Sequence, residues 1–131
     1  MKTSKFYAIL WLIIISIAQA NAESFWKNNI QYNTLSNGSN EVEVIGSETN
    51  VVNIPSTVSY EGITYSVTRI GNSAFRLKGI TSITLPNTIT SIGDEAFYWN
   101  GTALQSIELP SSLISIGKWA FHRCYGLTQI T

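Results

Sequence analysis

The chain has 131 residues, of which 44% are hydrophobic and 12% are charged. This composition is typical of a folded domain and excludes a disordered chain. The formal net charge is zero, without the clustered lysines and arginines that nucleic acids require, so we expect no nucleic-acid partner. The single cysteine, Cys124, cannot form an internal disulfide, so packing must hold the fold together.

The N-terminal residues have the pattern of a secretory signal peptide. Two lysines precede an apolar run over residues 6–17, and small residues suit a signal peptidase at Ala20 and Ala22. The alternative, a membrane anchor, needs a run of about 20 apolar residues, which this run does not reach. We therefore assign residues 1–22 to a signal peptide. We expect a secreted or cell-surface protein with no membrane span after cleavage.

The next predicted unit, residues 23–66, is an N-terminal β cap that includes a degenerate first repeat. Apolar and polar residues alternate over residues 30–35 and again over residues 41–45. The loop between them contains Asn37-Gly38, so the two runs predict a β-hairpin.

Further features of the cap are predicted on both sides of this hairpin. Phe25 and Trp26 precede it, and we expect both to cover one end of the core. A second small hairpin is predicted around Glu61-Gly62. The degenerate first repeat is assigned to residues 50–66 and includes this second hairpin as an insertion. Its residues 52–55 read Val-Asn-Ile-Pro and match the later Ile-Thr-Leu-Pro.

Residues 67–131 contain a repeated unit. The phrase Ile-Gly-x-x-Ala-Phe begins at residues 70, 92 and 116, and the phrase Ile-x-Leu-Pro begins at residues 83 and 107. Such a period is the signature of a solenoid, in which short units stack and share one core. We predict a mainly β, right-handed solenoid of about three repeats, capped by the N-terminal hairpin. Ile83, Ile107 and Ile130 should then lie side by side on adjacent turns.

The spacing that recurs from unit to unit predicts a role for individual positions. Gly93 and Gly117 are expected where the backbone has a positive φ or packs closely against a neighbour. The unit length varies only between Phe and the next Leu or Ile, as from Phe97 to Leu104. That segment is therefore predicted to be the outer edge of the solenoid, since insertions elsewhere would shift the strand register.

The two phrases together resemble the BspA-type leucine-rich repeat over residues 50–131. The resemblance implies a leucine-rich-repeat solenoid, and a secreted or surface protein that adheres to host proteins or other cells. It also implies a Cys at one position of each unit. Only Cys124 matches, while Lys78 and Asn100 occupy the equivalent positions. The chain stops at Thr131 within a unit, so we expect a C-terminally truncated repeat region.

Two surfaces are candidates for binding. The first is a row of small polar residues that face outward on successive strands, with the alternative that it is a plain solvated face. Its members are Ser82, Thr84, Ser106 and Glu108, flanked by Asn53, Gln129 and Thr131. The second consists of loop aromatics, which are favoured anchors of interfaces, with the alternative that they pack over their own loops. These are Tyr98, Trp99 and Tyr125, beside His122 and Arg123.

Catalysis is not predicted. His122 and Cys124 could form a nucleophilic pair, but residues this close on a turn rarely reach the required geometry, and no third group is evident to orient them. One His and one Cys do not make a zinc site. We therefore predict neither an enzyme nor a metal or cofactor.

The predicted function is recognition of an extracellular protein or glycan, most directly in adhesion. Two alternatives stay open: a structural spacer or fragment of a larger adhesin without its own ligand, and a module that accompanies a catalytic domain absent from this chain. Leu127 and Ile130 lack a following unit in the sequence, so self-association through this open repeat is also expected.

Overall fold

A computed structural model of the chain describes residues 22–131. The predicted signal peptide, except Ala22, lies outside the described residues. The described part consists of strands and turns and contains no helix. The strands are β1 (Ser24–Lys27), β2 (Ile30–Thr34), β3 (Glu41–Ser47), β4 (Val51–Asn53), β5 (Thr57–Tyr60), β6 (Ile63–Ile70), β7 (Ser82–Thr84), β8 (Ser91–Ile92), β9 (Ser106–Ile107), β10 (Ser115–Ile116) and β11 (Gln129–Ile130).

The cap begins with an antiparallel sheet of β1, β2 and β3. The hairpin predicted around Asn37-Gly38 is confirmed, since β2 and β3 are its two strands. Phe25 on β1 is buried, and its ring stacks on that of Tyr60 at a centroid distance of 4.1 Å. Trp26 is 49% exposed, so the expectation that it covers the core is wrong. Successive side chains of a strand point to opposite faces, and only one face of β1 meets the core.

β6 connects the cap to the repeats. Its first half pairs antiparallel with β5, which confirms the second predicted hairpin. Its second half pairs parallel with β3 on one side and with β8 on the other. One sheet therefore runs from β1 through β3 and β6 to β10, and the cap covers the first turn of the solenoid.

The solenoid makes about four turns. One row of parallel strands consists of β6, β8 and β10, on which Ile70, Ile92 and Ile116 stand in register. The rows repeat because each turn is too small to bury its own apolar face, and stacking lets neighbouring turns share it. The predicted solenoid is therefore confirmed.

The second row of strands is interrupted. β4 pairs with β7 and β9 pairs with β11, where Ile107 and Ile130 stand in register. Within residues 22–131, no backbone hydrogen bond joins β7 to β9, although the two strands are neighbours. The expected alignment of Ile83 with Ile107 is thus not a paired one. The interruption coincides with the longest connection in the repeats, from Phe97 to Leu104.

The centre of the solenoid is a column of aromatic rings. Phe75 and Phe97 are fully buried, and their ring centroids lie 5.3 Å apart. Phe121 continues the column at 5.1 Å from Phe97 and is half-buried. These separations suit offset stacking and match the spacing of about 4.8 Å between strands.

The repeated glycines are required for close packing. A Cβ atom on Gly93 would lie 2.5 Å from Oδ1 of Asn72, and one on Gly117 would lie 2.5 Å from the backbone nitrogen of Asp94. Neither glycine has a positive φ. The left-handed conformation instead belongs to the residue two positions later, as at Glu95 with φ of 55° and Trp119 with φ of 57°.

The side chain of Asn100 is buried and forms hydrogen bonds with the backbone. It is 3% exposed, and its Oδ1 accepts a hydrogen bond from the Ile80 amide at 2.8 Å. Its Nδ2 donates to the carbonyls of Phe75 at 3.0 Å and Phe97 at 2.7 Å. One turn later, Cys124 occupies the same position, and its Sγ donates to the carbonyl of Phe97 at 3.0 Å. Both side chains tie a turn to the one before it.

Candidate binding surface

The connection after each buried Ala-Phe pair brings a pair of side chains to the surface. Phe97, Tyr98 and Trp99 illustrate the geometry. The backbone amides of Phe97 and Trp99 both donate hydrogen bonds to the next turn. The Trp99 amide donates to the carbonyl of His122 at 2.9 Å. Trp99 then adopts a left-handed φ of 55°, which ends the turn. Because this pattern recurs, equivalent side chains from three turns stack above one another.

The stacked side chains form a continuous patch, which we call the aromatic ladder. It consists of the rings of Tyr98, Trp99, Trp119 and His122 and the cations of Arg76, Lys118 and Arg123.

Ring-to-ring contacts connect the members of the ladder, and one of them, between Tyr98 and His122, joins two turns. The Tyr98 ring lies 5.6 Å from the His122 ring and 6.3 Å from the Trp99 ring, measured between centroids. Trp119 joins at 6.4 Å from His122. Trp99 is 45% exposed and Trp119 is 55% exposed, so large aromatic edges face solvent.

Each cation of the ladder lies over a ring. Cζ of Arg76 is 5.0 Å from the Tyr98 centroid, and Cζ of Arg123 is 4.4 Å from the Trp99 centroid. Nζ of Lys118 is 4.4 Å from the Trp119 centroid. Arg76 also forms an ion pair with Glu95 at 3.0 Å. Within residues 22–131, Arg123 and Lys118 have no such carboxylate partner, so their charge is not neutralised.

The structure brings together only part of the predicted aromatic group. Tyr98 and Trp99 lie in the ladder, next to His122. Tyr125 is 70% exposed and has no ring contact with any other residue in the described range. Sequence reasoning missed Trp119, because it stands inside the Ile-Gly-x-x-Ala-Phe phrase. The signal was its position before Ala, which polar residues occupy in the other two turns.

The predicted strand row forms a separate surface. Ser82, Thr84, Ser106 and Glu108 are exposed, and Oγ1 of Thr84 donates to Oδ1 of Asn53 at 3.0 Å. At the interruption between β7 and β9, Thr84 and Glu108 line a groove of about 400 Å³. The row is therefore divided by a polar groove.

The chemistry at Cys124 is that of a packed thiol. Burial raises its pKa, and its Sγ–H is directed at the carbonyl of Phe97. A nucleophilic cysteine needs the opposite shift, toward the thiolate. His122 stacks on Tyr98. In the described residues, no cluster of three or more His, Cys, Asp or Glu side chains could hold a metal ion.

No helix within residues 22–131 has the length and apolar character to cross a membrane.

Comparisons with known proteins agree with this geometry. The family described as "BspA type Leucine rich repeat region (6 copies)" matches residues 48–131, more than half of the chain. A comparison with curated proteins finds no match.

Two solved structures are similar in fold. A leucine-rich repeat protein from Bacteroides capillosus ATCC 29799 is 19% identical, with 82% of this chain and 96% of that chain covered and a TM-score of 0.58. The pneumococcal vaccine antigen PcpA is 22% identical, with 83% of this chain and 38% of that chain covered and a TM-score of 0.50. The repeated phrases, the stacked turns and the family match agree, and the chain belongs to the family of BspA-type leucine-rich-repeat proteins.

Proposed function

We propose that this protein is a non-catalytic binding module, secreted or held at the cell surface, that adheres to an extracellular protein or glycan of a host or another cell. The signal-like N-terminal sequence supports export. The aromatic ladder is the observation that carries the proposal. Exposed Trp, Tyr and Arg side chains are the residue types that dominate the energy of binding interfaces.

The ladder has the rigidity that a binding surface needs. The Tyr98 and His122 rings stack across two turns, and hydrogen bonds between the backbones of those turns hold them in place. Side chains that are ordered before binding lose less conformational entropy when a ligand arrives. Trp99 and Trp119 combine a large exposed area with a cation packed over each ring.

The purified protein should bind members of an array of matrix proteins and glycans. Replacing Trp99 or Trp119 with Ala should weaken that binding by about 2 kcal/mol, or roughly 30-fold. Tyr125→Ala is the matched control, since it removes an exposed aromatic residue outside the ladder. Equal losses in all three variants would refute a role for the ladder, and no binding to any array member would favour a structural spacer.

The strand row is a second candidate surface for the same function. The groove between β7 and β9 favours it, because Thr84 and Glu108 there present polar groups to a shared space. Replacing Thr84 or Glu108 with Arg would fill the groove. Thr84→Arg would neutralise its formal charge, and Glu108→Arg would reverse it. If both variants bind every ligand as the parent does, the row is a solvated face.

A further inference from the structure

The charges of the chain are divided unevenly between the cap and the repeats. Residues 22–66 carry five Glu and one Lys, a formal charge of −4. Residues 67–131 carry five Lys and Arg against three Asp and Glu, a formal charge of +2. Four of those five cations lie in the turns that build the ladder, at Arg76, Lys78, Lys118 and Arg123. The repeats therefore carry a net positive formal charge, and the cap carries a net negative one.

The two acidic residues in these turns offset only part of that positive charge, and in the described part of the chain neither forms an ion pair with Lys118 or Arg123. Glu95 pairs with Arg76. Oδ1 of Asp94 accepts the backbone amide of Lys118 at 2.7 Å, and its backbone amide donates to Oδ1 of Asn72 at 2.8 Å. Asp94 thus serves the contact between turns.

The aromatic rings fix the cations without neutralising them. A guanidinium that lies over an indole ring keeps its N–H donors in its own plane, where they can meet an oxyanion in a bidentate manner. Arg123 over Trp99 has this arrangement, and Lys118 over Trp119 places a compact ammonium group over a ring in the same way. A carboxylate partner would have satisfied the same donors and removed the charge.

We propose that the ladder binds a polyanionic glycan, a polysaccharide with sulfate or carboxylate groups. This inference rests on the proposed function and specifies its ligand. The two ladder cations that have no ion pair within residues 22–131, Lys118 and Arg123, lie over different rings, Trp119 and Trp99. A chain with repeated anionic groups could meet both cations at once. The Trp119 indole N–H and Tyr98 hydroxyl add polar tips for sugar hydroxyls.

Sparse charge favours a glycan over a nucleic acid. Duplex DNA carries about one charge per 1.7 Å, so its binding proteins need many phosphate contacts. Among the described residues, the ladder offers only two unpaired cations, Lys118 and Arg123, which are too few for a duplex.

The test compares dextran sulfate, polygalacturonate and unmodified dextran as ligands of the purified protein. Dextran is the matched neutral control for the sulfated polymer, and polygalacturonate separates carboxylate from sulfate recognition. We expect binding to one or both polyanions and none to dextran. With the two cations Lys118 and Arg123 engaged, affinity should fall about ten-fold between 50 and 200 mM salt.

The variants identify the surface. Arg123→Gln should weaken polyanion binding about ten-fold, since it removes one charge-assisted contact. Lys118→Gln should act in the same direction. Lys27→Gln removes an equal charge from β1 in the cap and should change nothing. Circular dichroism melting of each variant separates loss of binding from loss of folding.

Several outcomes would overturn the inference. Equal binding to dextran, insensitivity to salt, or equal losses in the Lys27 and Arg123 variants would each do so, as would a preference for duplex DNA over both glycans. If the ladder variants weaken binding only to a protein or a neutral glycan, the proposed function stands, and the proposal of a polyanionic ligand is refuted. If no ligand of any class binds, both fail.

Discussion

Asn100 gives the most demanding test of how the turns are held together. In the Asn100→Ala variant, the buried Ile80 amide loses its acceptor, which is the Oδ1 atom at 2.8 Å. The carbonyls of Phe75 and Phe97 each lose one donor as well. Phe97 keeps a bond from Cys124, and Phe75 keeps only a long contact of 3.4 Å from the Lys78 amide.

The size of the effect follows from these three losses. An orphaned buried donor costs about 1–3 kcal/mol, and each lost bond to a carbonyl with another donor costs about 0.5–1.5 kcal/mol. We therefore expect Asn100→Ala to lower the free energy of unfolding by about 3 kcal/mol. A domain of this size has about 5–15 kcal/mol in total. The melting temperature should fall by roughly 10–20 °C.

Urea titration followed by far-UV circular dichroism measures the change in free energy. Asn100→Cys should be intermediate, because a thiol restores one donor in the manner of Cys124. Asn100→Asp should be worse than Ala, since an ionised carboxylate cannot donate to the two carbonyls. A loss below about 0.5 kcal/mol for Asn100→Ala would refute this reasoning, because the remaining bonds alone would then suffice.

Three further predictions concern other parts of the chain. Gly93→Ala should lower the free energy of unfolding by about 1–3 kcal/mol, because its Cβ would lie 2.5 Å from Oδ1 of Asn72. Gly46→Ala, whose Cβ would meet nothing closer than 3.6 Å, should be near neutral, and equal urea midpoints for the two variants would contradict the steric argument. Burial raises the pKa of Cys124, so at about pH 8 iodoacetamide should label it at least about ten-fold faster in urea than in the folded protein; equal rates would count against burial. We also expect the purified protein to associate through the edge of β11, where Ile130 is 51% exposed, and Ile130→Lys to abolish that association; sedimentation velocity over a range of concentrations would expose a strictly monomeric protein.

The sequence was sufficient to predict the solenoid because the core repeats at a regular interval. Ile70, Ile92 and Ile116 are in register, and the Phe75–Phe97 stack follows from their equal positions in the unit. The cap hairpin followed from alternation and a turn sequence. These signals are local or periodic, so a single chain is enough to identify them.

The candidate surface was less accessible from sequence. Its contacts join residues one turn apart, as between Tyr98 and His122, and side-chain direction at such positions is set by the turn geometry. In the sequence, Trp119 therefore belongs to a phrase that predicts core positions. Asn100 departs from the family pattern, although an amide can take over the donor role of a thiol and add an acceptor. The absence of backbone hydrogen bonds between β7 and β9 depends on the path of one long connection, which the sequence does not specify.

That interruption between β7 and β9 has a mechanical consequence. The turns on either side are fastened to each other along the β8–β10 edge and the aromatic turns, but not along the opposite strand row. Bending the solenoid at this point separates β7 from β9 without breaking any backbone hydrogen bond between these two strands. A pulling force or thermal fluctuation should therefore concentrate its deformation at the middle of the coil, and the two halves should behave as stiff segments joined by a compliant joint.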